Sequence, residues 1–117
     1  MTVTTLYHNP RCSKSRQALA LLQEHGVEPR VIEYLKSPPD AKTLDALLKQ
    51  LGLEPRELMR RKEAEYRELG LDDPGLGRDE LIAAMVANPR LIERPIVVHG
   101  RREVLGRPPE RVLELVG

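Results

Sequence analysis

The sequence predicts an α/β or α+β fold built around a single sheet. Three observations support this prediction: an amino-terminal β-α-β unit, a central run of helical segments, and a carboxy-terminal β-hairpin followed by a helix. The chain has 117 residues, which is the size of one domain. We therefore expect a single domain over residues 1–117, with a helical insertion at about 40–90.

The amino-terminal part of the chain predicts the β-α-β unit. Residues 3–7 alternate threonine with apolar side chains, as a short strand does. Asn9 and Pro10 end this strand, and a helix is predicted from Ser13 to a stop at Gly26. Residues 30–34 predict a second strand, which a usual crossover makes parallel to the first.

The central segment predicts helices. Asp40 follows two prolines and is the expected cap of a helix whose leucines recur at helical spacing until Gly52. A short helix is predicted over 55–61, a loop over 72–77 and a further helix over 79–88.

The carboxy-terminal segment predicts a hairpin with strands at 96–99 and 102–105, and then a helix that two prolines open. With the turn at residues 100 and 101, paired positions add up to 201, so Arg94 and Arg107 lie opposite each other at the open end. Two like charges in that position destabilise the pair unless something neutralises them. A bound oxyanion would do so, and so would salt bridges to Glu93 or Glu110.

Composition excludes several functional classes. The 19 basic and 18 acidic side chains give a net charge of +1, and aromatic residues make up 3% without Phe or Trp. Neither the charge nor the aromatic content favours direct nucleic-acid binding. No apolar run approaches the roughly 18 residues of a membrane span, and no secretory signal is visible. We expect a cytoplasmic monomer that binds no membrane.

The single cysteine is the candidate nucleophile. Cys12 lies at the predicted mouth of the first helix, where free N–H groups and the helix dipole favour an anion. Nearby basic residues (Arg11, Lys14 and Arg16) would lower the pKa of its thiol further, and His8 could orient it. The alternative is an inert buried cysteine. Ser15 stands where a dithiol motif has its second cysteine, so Cys12 cannot form a disulfide within this motif.

No metal site is expected. The three histidines are scattered without the spacing of metal ligands, and one cysteine excludes a multi-cysteine zinc site. The arginine pair Arg60 and Arg61 is typical of a solvated helix face, and periodicity alone does not bring Arg60 to Cys12.

Several segments together resemble the ArsC family of glutaredoxin-coupled arsenate reductases. The segment 7–16 (Tyr-His-Asn-Pro-Arg-Cys-Ser-Lys-Ser-Arg) resembles the family's active-site loop. Further matching segments, at 33–35, 58–60, 66–71, 91–98 and 106–108, follow in the family's order. The resemblance departs from the family at residues 11, 13 and 14 and again over 61–63, which leaves the substrate open.

The resemblance implies a thioredoxin-like fold, with a mixed four-stranded sheet and a helical insertion. It assigns Cys12 as the catalytic cysteine, with His8 and Ser15 beside it, and three oxyanion-binding arginines at Arg60, Arg94 and Arg107. A cis peptide bond before Pro95 is a further expectation, because thioredoxin-like domains carry a cis proline at that place.

The resemblance also implies a reaction. Cys12 attacks arsenate, glutathione and glutaredoxin act as external reductants, arsenite is released, and no cofactor is bound. Two alternatives stay open. One is a redox-responsive regulator that binds RNA polymerase, similar to the Spx-type proteins, and the other is a glutathione-dependent thiol reductase of unknown substrate.

Overall fold

The computed structural model of the protein describes residues 3–116, and these form two units. The first unit combines the chain up to Ser37 with the chain from Arg94 onward, and the second spans Pro38–Glu93. The second unit covers the segment in which the insertion is predicted. Among residues 3–116 no helix is both long and apolar enough to cross a membrane.

The first unit contains a mixed four-stranded sheet in the order β2-β1-β3-β4. Its strands are β1 (Thr4–His8), β2 (Arg30–Glu33), β3 (Ile96–His99) and β4 (Arg102–Leu105). Strand β1 pairs with β2 in parallel and with β3 antiparallel, and β3 pairs antiparallel with β4. This confirms the predicted β-α-β unit and hairpin, with β1 shifted by one residue from the predicted 3–7.

One face of this sheet carries the core of the first unit. Helix α1 (Ser13–Glu24) and a carboxy-terminal pair, a 3₁₀ helix (Pro109–Val112) running into α5 (Leu113–Val116), contribute to the same buried cluster as the strands. The apolar side chains of this cluster are those of Leu6, Ala18, Leu22, Val97, Val104, Val112 and Leu115. The alternation of the strands therefore directs every second side chain toward α1.

The hairpin has the predicted register. Val97 pairs with Val104 and His99 with Arg102, and the turn glycine, Gly100, has a φ of 63°. The backbone pairing continues past the strands, where the Gly106 N–H donates to the Pro95 carbonyl at 2.8 Å. The peptide bond before Pro95 is cis, as predicted, and so is the bond before Pro108.

The second unit is helical. It contains α2 (Ala41–Leu51), a 3₁₀ helix (Pro55–Leu58), α3 (Ala64–Glu68), α4 (Arg78–Ala87) and a second 3₁₀ helix (Pro89–Leu91). Asp40 caps α2 by accepting the Thr43 N–H at 2.7 Å, as predicted. The predicted helix over 55–61 is shorter and ends at Leu58. Helix α3 was not predicted, because its five residues bury no side chain and so show no apolar stripe.

A short antiparallel contact closes the second unit on itself. Met59 and Ile92 form an isolated bridge, with the Arg60 N–H donating to the Leu91 carbonyl and the Glu93 N–H to the Leu58 carbonyl, both at 2.7 Å. This ladder fixes the backbone around Arg60 against the end of the unit's chain.

Candidate active site

Cys12 is the residue that opens helix α1. Its backbone is extended, with φ −94° and ψ 123°, and its carbonyl accepts the Arg16 N–H at 3.0 Å, the first bond of the helix. The preceding turn is closed by the Cys12 N–H, which donates to the Asn9 carbonyl at 3.0 Å. The thiol is partly exposed. The strand, the turn and the helix start therefore place a reachable sulfur at the positive end of the helix dipole.

The surroundings of Cys12 favour the thiolate. Burial alone raises the pKa of this thiol, but the Ser15 N–H, the Arg94 guanidinium and the Lys14 N–H outweigh it and lower the pKa below its ordinary value. The Cys12 side chain forms no regular capping hydrogen bond with these two amides. Their dipoles still favour negative charge on sulfur. This is the direction that the sequence predicts, although Lys14 acts through its backbone amide.

Arg94 is the main cationic group at the sulfur. Its side chain is 8% exposed and donates a hydrogen bond to Cys12, which together with its charge lowers the thiol's pKa. Arg107 lies next to it, with Nη1 donating to the Arg94 carbonyl at 3.1 Å. Residues 94 and 107 therefore lie next to each other at the open end of the hairpin, through a contact between the Arg107 side chain and the Arg94 backbone. A planar guanidinium group suits the binding of an oxyanion.

His8 and Ser15 form a buried pair within the first unit. Ser15 is fully buried and its Oγ lies 2.6 Å from His8 Nδ1, while the Asn9 N–H donates to the same oxygen at 3.1 Å. Desolvation by burial lowers the pKa of His8; Glu33 raises it and Arg16 lowers it. Ser15 therefore ties the end of β1 to the first turn of α1, and His8 is held as a neutral imidazole at neutral pH.

Glu33 is a residue of this neighbourhood that the sequence analysis missed. It is the register partner of His8 in the parallel β1–β2 pair, and its charge acts on the imidazole. The signal was available in principle, since a carboxylate near the end of the second strand of a β-α-β unit lies beside the end of the first. Of the basic residues near Cys12 in sequence, Arg16 donates Nη1 to the Pro10 carbonyl at 3.0 Å and so braces the turn.

Arg60 belongs to the second unit, where carboxylates hold it. Its Nη1 forms an ion pair with Glu63, and its Nε lies 3.8 Å from a Glu93 oxygen. The structure thus brings Cys12, Arg94 and Arg107 together in the first unit and gives Arg60 acidic partners in the second. Within residues 3–116, no group of three His, Cys, Asp or Glu side chains could hold a metal ion.

Comparison with known proteins identifies the family. The sequence model described as "ArsC family" matches residues 7–115. YfgD of Escherichia coli K12, described as uncharacterized, is 60% identical over 113 residues, covering 96% of this chain and 95% of that protein. An arsenate reductase of Neisseria meningitidis serogroup B is 47% identical over 108 residues, covering 92% of each.

Solved structures show the same fold. The arsenate reductase from Vibrio cholerae superposes with a TM-score of 0.94 at 52% identity, covering 97% of this chain and 98% of that one. An ArsC family related protein from Bacteroides fragilis gives a TM-score of 0.83 at 28% identity, with coverage of 97% and 98%. The fold is the thioredoxin-like fold of these proteins, and the chain belongs to the ArsC family.

Proposed function

We propose that the protein is an arsenate reductase that uses Cys12 as its nucleophile. The observation that carries this proposal is the thiol at the amino terminus of α1, whose pKa is lowered by the Arg94 guanidinium and two backbone amides. Membership of the ArsC family and the names of relatives at 44–47% identity support the same reaction.

The first step is nucleophilic substitution at arsenic. The Cys12 thiolate attacks arsenate, an S–As bond forms, and an arsenate oxygen that has gained two protons leaves as water. Arsenic stays in its +5 state in the resulting thioarsenate. Arg94 and Arg107 bear the negative charge on the remaining oxygens, and the same helix amides that favour a thiolate favour an oxyanion.

The second step is the reduction. A glutathione thiolate attacks the Cys12 sulfur, the S–As electron pair passes to arsenic, and arsenite leaves with arsenic in its +3 state. The two sulfurs have together lost two electrons and form a mixed disulfide. Glutaredoxin then attacks the glutathione sulfur and returns the Cys12 thiolate. An external thiol is required because Cys12 is the only cysteine in the chain.

The remaining assignments rest on the resemblance. Arg60 is proposed as a third ligand of the oxyanion, while His8 and Ser15 maintain the loop that presents the sulfur. The scheme needs no bound cofactor. Glutathione and glutaredoxin act in a reducing compartment, so we propose that the protein acts in the cytoplasm. We also propose that it acts as a monomer.

A coupled assay tests the proposal. NADPH oxidation is followed with arsenate, glutathione, glutaredoxin and glutathione reductase, and we expect it to depend on all of them and on the protein. Cys12→Ser should abolish the rate, because no second thiol can take its place. His25→Gln is the matched control, since its ring contacts the Leu21 carbonyl at the end of α1 and lies outside the proposed machinery.

NADPH oxidation that continues without arsenate, or an arsenate-dependent rate equal in wild type and Cys12→Ser, assigns the turnover to something other than Cys12 chemistry on arsenate.

A further inference from the structure

The loop that presents the sulfur is basic. Segment 7–16 has three basic residues and no acidic one (Arg11, Lys14 and Arg16). The first acidic residue in the chain is Glu24, the last residue of α1. The whole chain is nearly balanced, with 19 basic and 18 acidic side chains, so this segment concentrates positive charge beside the proposed nucleophile.

The three basic side chains are not engaged alike. Arg16 donates to the Pro10 carbonyl at 3.0 Å and so belongs to the turn. Arg11 and Lys14 are exposed, and in the part of the chain that the structure describes neither side chain forms a hydrogen bond or an ion pair. Both lie in the first unit with the partly exposed sulfur of Cys12, and their charges are available to a molecule that arrives from solvent.

The fold does not explain these two charges. A cation in the first turn of a helix opposes the helix dipole, so Lys14 is unfavourable for α1. The groups that lower the pKa of Cys12 are the Arg94 guanidinium and two backbone amides. Exposed cations without internal partners beside a nucleophile instead raise the local concentration of an anionic reactant.

We propose that Arg11 and Lys14 form a cationic rim beside Cys12 that recognises the carboxylates of an anionic thiol donor of the glutathione class. The inference rests on the proposed function, in which glutathione attacks the Cys12 sulfur. Glutathione carries a carboxylate on each side of its thiol and has a net negative charge near neutral pH. One cation precedes Cys12 and the other follows it, so the rim offers one cation for each carboxylate. The rim thus favours an anionic thiol over a neutral or a cationic one.

The experiment measures exchange between Cys12 and three small disulfides of different charge. These are oxidised glutathione (anionic), 2-hydroxyethyl disulfide (neutral) and cystamine (cationic). In each reaction the Cys12 thiolate attacks one sulfur of the disulfide, a mixed disulfide forms, and the other half leaves as a thiolate. Cys12 is oxidised and the small disulfide is reduced. Mass spectra of the mixed disulfide give the second-order rate constants at low ionic strength, and no arsenate is needed.

Arg11→Gln and Lys14→Gln each remove one charge of the rim. Each is expected to slow the reaction with oxidised glutathione about two- to threefold, to speed the reaction with cystamine by a similar factor, and to leave the neutral disulfide unchanged. The double variant should show a larger change than either, and high salt should reduce all of these effects. Arg101→Gln is the matched control, because Arg101 is an exposed arginine of the hairpin turn, at the end of the sheet away from Cys12.

The outcomes separate the inference from the proposed function. Opposite changes for the anionic and cationic disulfides in the rim variants, absent in Arg101→Gln, support the inference. A wild-type rate with oxidised glutathione in the double variant overturns it, and so does an equal fall with all three disulfides, which would mean that the sulfur itself has become less reactive. If the arsenate assay fails while the charge dependence is present, the proposed substrate is wrong and the rim stands.

Discussion

Replacing Glu103 by glutamine is expected to remove a pH-dependent loss of stability in the first unit. Glu103 lies in β4 opposite Val98. Both of its carboxylate oxygens are buried, and neither has a hydrogen-bond partner among the residues that the structure describes. Burial raises the pKa of this carboxyl from 4.5 to about 7. Ionisation of Glu103 therefore costs more in the folded state than in the unfolded state.

The sign and size of the effect follow from that pKa. A raised folded-state pKa gives a contribution to stability that is full below pH 4.5 and is lost as the pH rises through about 7. The interval from 4.5 to about 7 corresponds to at most about 3.4 kcal/mol. Because the residue as a whole is partly exposed, we reduce this to about 1–2 kcal/mol.

Urea unfolding at several pH values between about 5 and 8.5 measures this contribution. The difference in unfolding free energy between Glu103→Gln and wild type should grow with pH and level off above about pH 8, with the variant more stable there by about 1–2 kcal/mol. His8, whose pKa is lowered, contributes the opposite slope near pH 6.5, but it does so in both proteins and cancels.

Glu110→Gln is the control, since Glu110 is an exposed glutamate of the same unit. A constant free-energy difference between Glu103→Gln and wild type across this pH range would refute the reasoning. It would mean that water or a cation reaches the carboxylate and that burial does not control its ionisation.

Further predictions concern the sulfur and the hairpin end. Arg94→Lys keeps the charge but loses the planar fork, so the midpoint of Cys12 alkylation with pH should rise and arsenate reduction should fall at least about tenfold. Lys14→Ala should leave that midpoint nearly unchanged, because Lys14 acts through its backbone N–H; a shift as large as that of Arg94→Lys would contradict this. Gly106→Ala puts a methyl group 2.8 Å from Pro95 Cγ and should cost about 1–3 kcal/mol in urea unfolding, whereas unchanged stability would show that the site relaxes.

The parts of the fold with strong local signals were predictable from the sequence. The hairpin register followed from a glycine turn, and the β2–β1 pairing followed from a β-α-β pattern. The cap at Asp40 followed from side-chain chemistry at a helix start. Helix α3 was not predictable, because its five residues bury no side chain and leave no periodic pattern in the sequence. The early end of the helix predicted at 55–61 likewise has no signal in the sequence.

The site was predictable to the extent that backbone geometry fixes it. The hairpin register read from the sequence places Arg94 opposite Arg107, and in the structure the Arg107 side chain donates a hydrogen bond to the Arg94 carbonyl. Glu103 was missed, although the same arithmetic puts it opposite Val98. A carboxylate paired with a β-branched apolar residue is a signal of burial, but pairing alone cannot show whether that face of the strand is covered.

Sequence proximity was a poor guide to what lowers the pKa of Cys12. The nearby basic residues suggested a local cationic field, yet Arg16 is turned to the Pro10 carbonyl and Lys14 contributes an amide. The guanidinium at the sulfur comes from Arg94, which the hairpin end delivers from far along the chain. An exposed side chain loses conformational entropy when it is fixed beside a partly exposed sulfur, whereas Arg94 is buried and is already ordered by its surroundings. The activation of Cys12 is therefore expected to depend on the integrity of the β3–β4 end more than on the charges of its own loop.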